Sequence, residues 1–60
     1  MNICYSVAYN GLVCFYYSDW VTSANRKYKY MGYSLKRAKQ EFRRAAHLER
    51  VHINFIEIPA

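Results

Sequence analysis

Residues 28 to 58 read YKYMGYSLKRAKQEFRRAAHLERVHINFIEI, and this stretch decides the fold. Residues 34 to 48 show the period of an amphipathic helix, and Ser34 is well placed to cap its N-terminus. The apolar side chains of this segment fall on one narrow stripe, which comprises Leu35, Ala38, Phe42, Ala45 and Ala46. Pattern and propensity agree, because most other positions carry strong helix formers. The middle of the stretch is therefore predicted to be one helix.

A short strand is predicted on each side of this helix. Residues 27 to 31 alternate, with two tyrosines on one face and two lysines on the other. Residues 51 to 58 begin with the same alternation, and Pro59 ends them. The alternation changes phase at Ile56, which indicates either a bulge or a strand that is covered on both faces. The whole stretch is thus a predicted strand–helix–strand unit.

Residues 2 to 20 are predicted to form a β-hairpin around Asn10-Gly11, the strongest short-range hairpin signal. Two registers are open. A two-residue turn places Tyr9 opposite Leu12 and mixes large and small side chains on each face. A three-residue loop with Gly11 in a left-handed conformation instead places Ala8 opposite Leu12. This second register forms the apolar pairs Val7 with Val13, Tyr5 with Phe15, and Ile3 with Tyr17. We prefer it because it gathers the large apolar side chains on one face.

These elements predict a small α+β fold. Residues 19 to 26 are rich in Thr, Ser and Asn and are interpreted as a loop. The predicted order is β-β-β-α-β, in a two-layer sandwich of one amphipathic helix on an antiparallel sheet of three or four strands. The sheet face under the helix is predicted to carry Ile3, Tyr5, Val7, Phe15, Tyr28 and Tyr30. Residues 1 to 60 are predicted to be a single domain, near the lower size limit for a chain that folds alone.

The chain is basic and rich in apolar residues. It has 60 residues, of which nine are Lys or Arg and four are Asp or Glu, so the formal net charge is +5. A hydrophobic content of 53% argues against a disordered chain. The net charge suits an acidic partner such as nucleic acid, an anionic protein surface or anionic lipid.

The sequence predicts a cytoplasmic protein that does not enter a membrane. The chain begins at Met1 without the basic and apolar regions of a secretion signal, and no apolar run approaches the ~20 residues that span a bilayer. Both cysteines, Cys4 and Cys14, lie in the predicted hairpin, and neither register favours a disulfide between them. Free thiols are therefore expected, as in a reducing compartment.

No catalytic, cofactor-binding or metal site is predicted. The acidic residues are scattered, and no pair is held on one face for general acid–base chemistry. His47 and His52 lack a cysteine or carboxylate at a metal-ligand spacing, so they are interpreted as surface or capping residues. Gly11 and Gly32 are the only glycines, too few for a phosphate-binding loop. The sequence therefore predicts a non-enzymatic protein without a cofactor.

Two basic surfaces and one tryptophan are predicted to contact a partner. The first surface is the outer arc of the helix, and its alternative interpretation is a solvated face on which Glu41 pairs with neighbouring arginines. The second is the sheet face away from the helix, where lysines lie beside Tyr16 and small side chains; its alternative is packing on a second copy of the protein. The candidate contact residues are Lys36, Arg37, Arg43, Arg44, Lys27, Lys29 and Trp20.

Two functions are compatible with these features. The first is a small protein-interaction module that occupies the surface of a partner protein or of a second copy, as a homodimer. This function is suggested by the small size, the lack of catalytic motifs, the abundant tyrosine and the uncovered sheet face. The overall layout of the chain resembles that of many small phage and prophage accessory proteins. The alternative is a nucleic-acid-binding accessory protein that uses the basic helix face.

Overall fold

The computed structural model describes residues 1–19 and 23–59, which form four strands and one helix. The strands are Asn2–Val7 (β1), Val13–Asp19 (β2), Ala24–Tyr30 (β3) and Asn54–Glu57 (β4), and the helix is Leu35–Ala45 (α1). The sheet has the strand order β3-β2-β1-β4. The helix packs on one face of the sheet, so the predicted α+β fold and the predicted order β-β-β-α-β are confirmed.

The hairpin adopts the preferred register. Val7 lies opposite Val13, and Tyr5 lies opposite Phe15. The loop is closed by the Ala8 N–H, which donates to the Leu12 carbonyl at 2.9 Å. Gly11 has a φ of +91°, a conformation that side chains with a Cβ rarely adopt. The three-residue loop with a left-handed glycine is therefore confirmed.

The sheet is mixed, and this corrects the predicted antiparallel arrangement. β4 lies parallel to β1, with Phe55 opposite Ile3 and Glu57 opposite Tyr5. Two antiparallel pairings make β3 run in the same direction as β1, so β3 and β4 are parallel strands at opposite edges. Parallel strands need a long crossover connection, and α1 provides it by carrying the chain across the sheet.

The element bounds differ from the predicted ones. β2 continues to Asp19 and β3 begins at Ala24, so half of the predicted loop over residues 19 to 26 belongs to strands. Polar residues there extend the sheet, and the Ser18 hydroxyl donates to Asn25 Oδ1 at 2.9 Å. The helix and the last strand are both shorter than predicted. Trp20, predicted as an exposed anchor, lies outside the described residues.

The core is a cluster of aromatic and aliphatic side chains between the helix and the sheet. Phe15 on β2 and Phe42 on α1 are fully buried, with their rings stacked at 4.6 Å between centroids. The buried core comprises Ile3, Tyr5, Val13, Phe15, Ala38, Phe42, Leu48 and Ile53. Ala45, predicted in the apolar stripe, is exposed because it lies at the end of α1. Val7 is also 37% exposed, because it lies beyond the last pair of β1 with β4.

Side-chain and backbone caps define both ends of the helix. Ser34 is the N-cap as predicted, because its hydroxyl accepts a hydrogen bond from the Arg37 N–H at 3.2 Å. At the other end the Leu48 N–H donates to the Arg43 carbonyl at 2.8 Å, and the His47 N–H donates to the Arg44 carbonyl at 3.3 Å. These two bonds form a Schellman motif, with His47 at the left-handed position.

Replacing His47 with glycine is expected to stabilise the protein. His47 has a φ of +58°, and glycine adopts this conformation without the steric cost of a Cβ. We expect His47→Gly to raise the free energy of unfolding by about 1 kcal/mol, and the melting temperature by about 4–8 °C. Thermal and urea unfolding followed by far-ultraviolet circular dichroism measures both.

The matched control for this change is His52→Gly. His52 is also exposed, but it is not among the described residues with a positive φ. Glycine there only increases the conformational freedom of the unfolded chain, so the control is expected to lose stability. A stability gain in both variants, or in neither, would contradict the role assigned to the backbone at His47.

Candidate functional site

The outer face of the helix carries the first predicted surface, the basic arc formed by Lys36, Arg37, Arg43 and Arg44. A carboxylate lies in the middle of this arc. Glu41 Oε1 is 3.4 Å from Arg37 Nε, and Glu41 Oε2 is 3.8 Å from an Arg44 terminal nitrogen. Both arginines are largely exposed, so these ion pairs contribute little to stability. They do place a negative charge where phosphate contacts would form, which weakens the arc as an anion-binding surface.

Arg43 makes structural contacts instead of presenting a free charge. One of its terminal nitrogens donates to the Glu49 carbonyl at 3.1 Å and to the Val51 carbonyl at 2.8 Å. These bonds connect the last turn of α1 to the segment that leads into β4. The basic arc therefore has one of its four cations directed into the fold.

Lys39 also packs on the protein surface. Its Nζ is 5.2 Å from the centroid of the Tyr5 ring and 5.1 Å from that of Phe55, in the range of cation–π contacts. The Tyr5 hydroxyl donates to Glu57 Oε1 at 3.4 Å. Burial, and then the Glu57 charge and hydrogen bond, raise the pKa of Tyr5 above its ordinary value. The contacts of Lys39 with Tyr5 and Phe55 therefore pack the helix against β1 and β4.

The second predicted surface is the open sheet face, defined as the strand side chains that point away from α1. Strand pairing places Cys4, Tyr16 and Lys27 side by side across β1, β2 and β3. The next row joins Ser6, Cys14 and Lys29. No element within residues 1–19 and 23–59 covers this face. The structure thus brings both predicted lysines together with Tyr16 and the small side chains.

Tyr16 is the central group of the open sheet face. Its ring lies 5.8 Å from Lys27 Nζ, and its hydroxyl is 3.4 Å from the Ser6 hydroxyl. Ile56 extends the face onto β4 and is 40% exposed. A cleft of about 470 Å³ lies where β1 begins, and its lining includes Asn2, Cys4, Tyr16, Ser18, Asn25 and Lys27. The face therefore combines one half-buried aromatic ring, exposed cations and neutral polar groups.

The open sheet face carries none of the three glutamates of the chain. Glu41 lies on α1, and Glu49 lies in the segment after it. Glu57 shares the helix-facing side of the sheet with its hydrogen-bond partner Tyr5. Both lysines of the face are exposed, so their charges are available to an anionic ligand.

Cys4 and Cys14 are free, as predicted. Cys4 pairs with Tyr16 and Cys14 pairs with Ser6, so the two cysteines are diagonal neighbours across β1 and β2. Cys14 is buried and Cys4 is half-buried. Both cysteines lie on the open sheet face, and their side chains are much smaller than that of the neighbouring Tyr16.

Comparisons with known proteins identify no relative of this chain. No protein-family model, no curated protein and no solved structure matches the chain. In the described part of the chain, no helix is long and apolar enough to cross a membrane. Within the same residues, no three His, Cys, Asp or Glu side chains lie close enough together to hold a metal ion.

The open sheet face also carries polar side chains at its edge, Asn2 and Asn25, which are not among the candidate contact residues predicted from the sequence. Asn25 falls within the predicted loop over residues 19 to 26, but it lies on β3 opposite Ser18 and on the same face as Lys27. Asn2 begins β1, and its Oδ1 accepts a hydrogen bond from Asn54 Nδ2 at 3.3 Å. Extending the alternation of β3 back by two residues would have placed Asn25 correctly.

Proposed function

We propose that this protein is a small non-enzymatic binding module that acts by occupying an acidic surface of a partner macromolecule with its open sheet face. One observation carries the proposal: Lys27 and Lys29 are exposed on a sheet face that holds no glutamate and that no element of the described residues covers. The net charge of +5 adds a long-range attraction toward acidic partners. The free thiols of Cys4 and Cys14 support a cytoplasmic location, where thiols stay reduced.

The open sheet face is a better contact surface than the basic arc of the helix. On the arc, Glu41 lies between Arg37 and Arg44, and Arg43 is bonded to backbone carbonyls. Arg37 and Arg44 are exposed but paired with Glu41, which leaves Lys36 as the exposed cation of that set outside these contacts. Nucleic-acid binding through the helix arc is therefore the weaker alternative.

A second copy of the protein is a poor occupant for the same face. Two open sheet faces packed together would bury Lys27 and Lys29 of each copy without a glutamate from either face to pair with them. Each copy also carries a net charge of +5, which adds repulsion. These charges favour an acidic partner over a homodimer.

The proposal is tested with a fluorescently labelled heparin fragment, used as a generic polyanion. Anisotropy titrations over a range of salt concentrations compare Lys27→Gln/Lys29→Gln with the control Lys36→Gln/Arg44→Gln. Both variants lose two positive charges, one pair from the sheet face and one from the helix arc. We expect the sheet-face variant to bind more weakly and to lower the salt slope of log K by about one per lysine.

The control variant is expected to bind with nearly the affinity and slope of the unmodified protein. An equal or larger loss in the control would move the binding surface to the helix and overturn the proposal. Absence of heparin binding at low salt would overturn it as well. Far-ultraviolet circular dichroism establishes that both variants are folded.

A further inference from the structure

We infer that the open sheet face takes single-stranded nucleic acid, with a base stacked on Tyr16 and the backbone along Lys27 and Lys29. This inference rests on the proposed function and names the class of its partner. It uses three features of the face: an aromatic ring on an inner strand, a row of cations on the neighbouring edge strand, and neutral polar groups at one end.

The stacking position is the ring of Tyr16. Tyr16 lies on β2, an inner strand, and its neighbours on β1 are the small residues Cys4 and Ser6. A flat base can approach the ring because no large side chain from β1 stands beside it. Bases stack on tyrosine with little sequence preference, since every base has a π-face.

The lysines supply the contacts to phosphate. Lys27 and Lys29 lie two residues apart on the same face of β3, so their Cα atoms are about 7 Å apart along the strand. This distance is comparable with the separation of neighbouring phosphates in an extended single strand. Lys27 Nζ lies over the Tyr16 ring, 5.8 Å from its centroid, so a base that stacks on this face displaces the ammonium toward the phosphate of the same nucleotide.

Neutral polar groups complete the match to a nucleotide. Asn2, Ser18 and Asn25 line the cleft of about 470 Å³ beside Tyr16, and they offer donors and acceptors to the edges of a base. An acidic protein surface would pair with the two lysines and would make no use of the Tyr16 ring or of the amide groups. A duplex would hide its base faces from Tyr16, so the ring and the amides favour an unpaired strand.

The test uses a labelled oligonucleotide of about 12 nucleotides, the length range that one small binding face contacts. Anisotropy at low salt compares this strand with the same sequence as a duplex and with labelled polyglutamate. We expect the single strand to bind more tightly than either. Tyr16→Leu is expected to weaken single-strand binding by about 5- to 150-fold, and Tyr16→Phe, which keeps the ring, by less than about twofold.

The outcomes separate this inference from the proposed function. If Tyr16→Leu binds the strand normally, or if polyglutamate or the duplex binds as tightly as the strand, the inference is overturned. The proposed function still stands in that case, provided that Lys27→Gln/Lys29→Gln weakens heparin binding. If the lysine variant has no effect on any of these probes, both are overturned. Should Tyr16→Leu fail to fold, the preference of the unmodified protein for single strand over duplex and polyglutamate decides the question.

Discussion

Phe42→Ala is expected to remove most of the stability of this protein. Phe42 is fully buried, and its ring stacks on Phe15 at 4.6 Å and meets Tyr28 edge-on at 5.2 Å. Truncating a buried phenylalanine to alanine costs about 3–5 kcal/mol, from lost burial and from the cavity that remains. A chain of 60 residues has a total stability of about 3–9 kcal/mol. The expected loss is therefore a large fraction of the total, and the variant is expected to unfold at a much lower urea concentration than the unmodified protein.

Urea unfolding followed by circular dichroism measures this loss, and Tyr9→Ala is the control. Tyr9 is fully exposed at the tip of the hairpin, so removing its ring is expected to change the free energy of unfolding by less than about 0.5 kcal/mol. Both variants remove one aromatic ring, and they differ in burial. A loss below about 1 kcal/mol in Phe42→Ala would show that the helix does not pack on the sheet through this ring.

The hairpin could be predicted from sequence because two local signals agree. Asn10-Gly11 marks the turn, and the alternation on either side selects the register that pairs Tyr5 with Phe15 and Val7 with Val13. A slip of one residue would move every large side chain to the other face. The strong penalty for that slip makes the register readable without a structure.

The extent of β3 and the direction of β4 could not be predicted in the same way. Residues such as Asn25 have low strand propensity, and they form a strand here because their backbone pairs with β2. β4 has four residues, and alternation within one strand carries no information about the direction of its neighbour. Its parallel pairing with β1 depends on the path of α1 across the sheet, which is a property of the whole fold.

Among the candidate binding residues, the positions of Lys27 and Lys29 could be predicted from the sequence, whereas the contacts of Arg43 could not. The period of two in β3 was enough to place Lys27 and Lys29 on one face with Tyr16. The helical period placed Arg43 and Arg44 on one outer arc, but it could not show how far each side chain reaches. Arg43 bonds to carbonyls that lie six and eight residues further along the chain. Only the folded segment after the helix brings these acceptors within range.

Arg43→Met is the second prediction with a large effect. Methionine keeps much of the aliphatic stem and removes the guanidinium that bonds to the carbonyls of Glu49 and Val51. Hydrogen bonds from a charged donor contribute about 1.5–3 kcal/mol, so we expect a loss of that order in the free energy of unfolding. The segment that these bonds hold leads directly into β4. The pairing of β4 with β1 should therefore weaken first.

Amide hydrogen exchange locates this effect on the chain. The Asn54 N–H donates to the Met1 carbonyl and the Ile58 N–H donates to the Tyr5 carbonyl, both at 2.8 Å. In Arg43→Met these two amides are expected to lose more protection than the amides shared by β1 and β2, because they open with the local segment.

The neighbouring variant Arg44→Met distinguishes a structural arginine from a merely basic one. Arg44 carries the same charge one position further along, but its side chain is 73% exposed and its partner Glu41 is 3.8 Å away. Its removal is expected to change stability by less than about 0.5 kcal/mol. Equal losses in the two variants would mean that Arg43 acts only through its charge. A loss confined to Arg43→Met would show that the Arg43 guanidinium belongs to the fold, in contrast to the exposed lysines of the open sheet face.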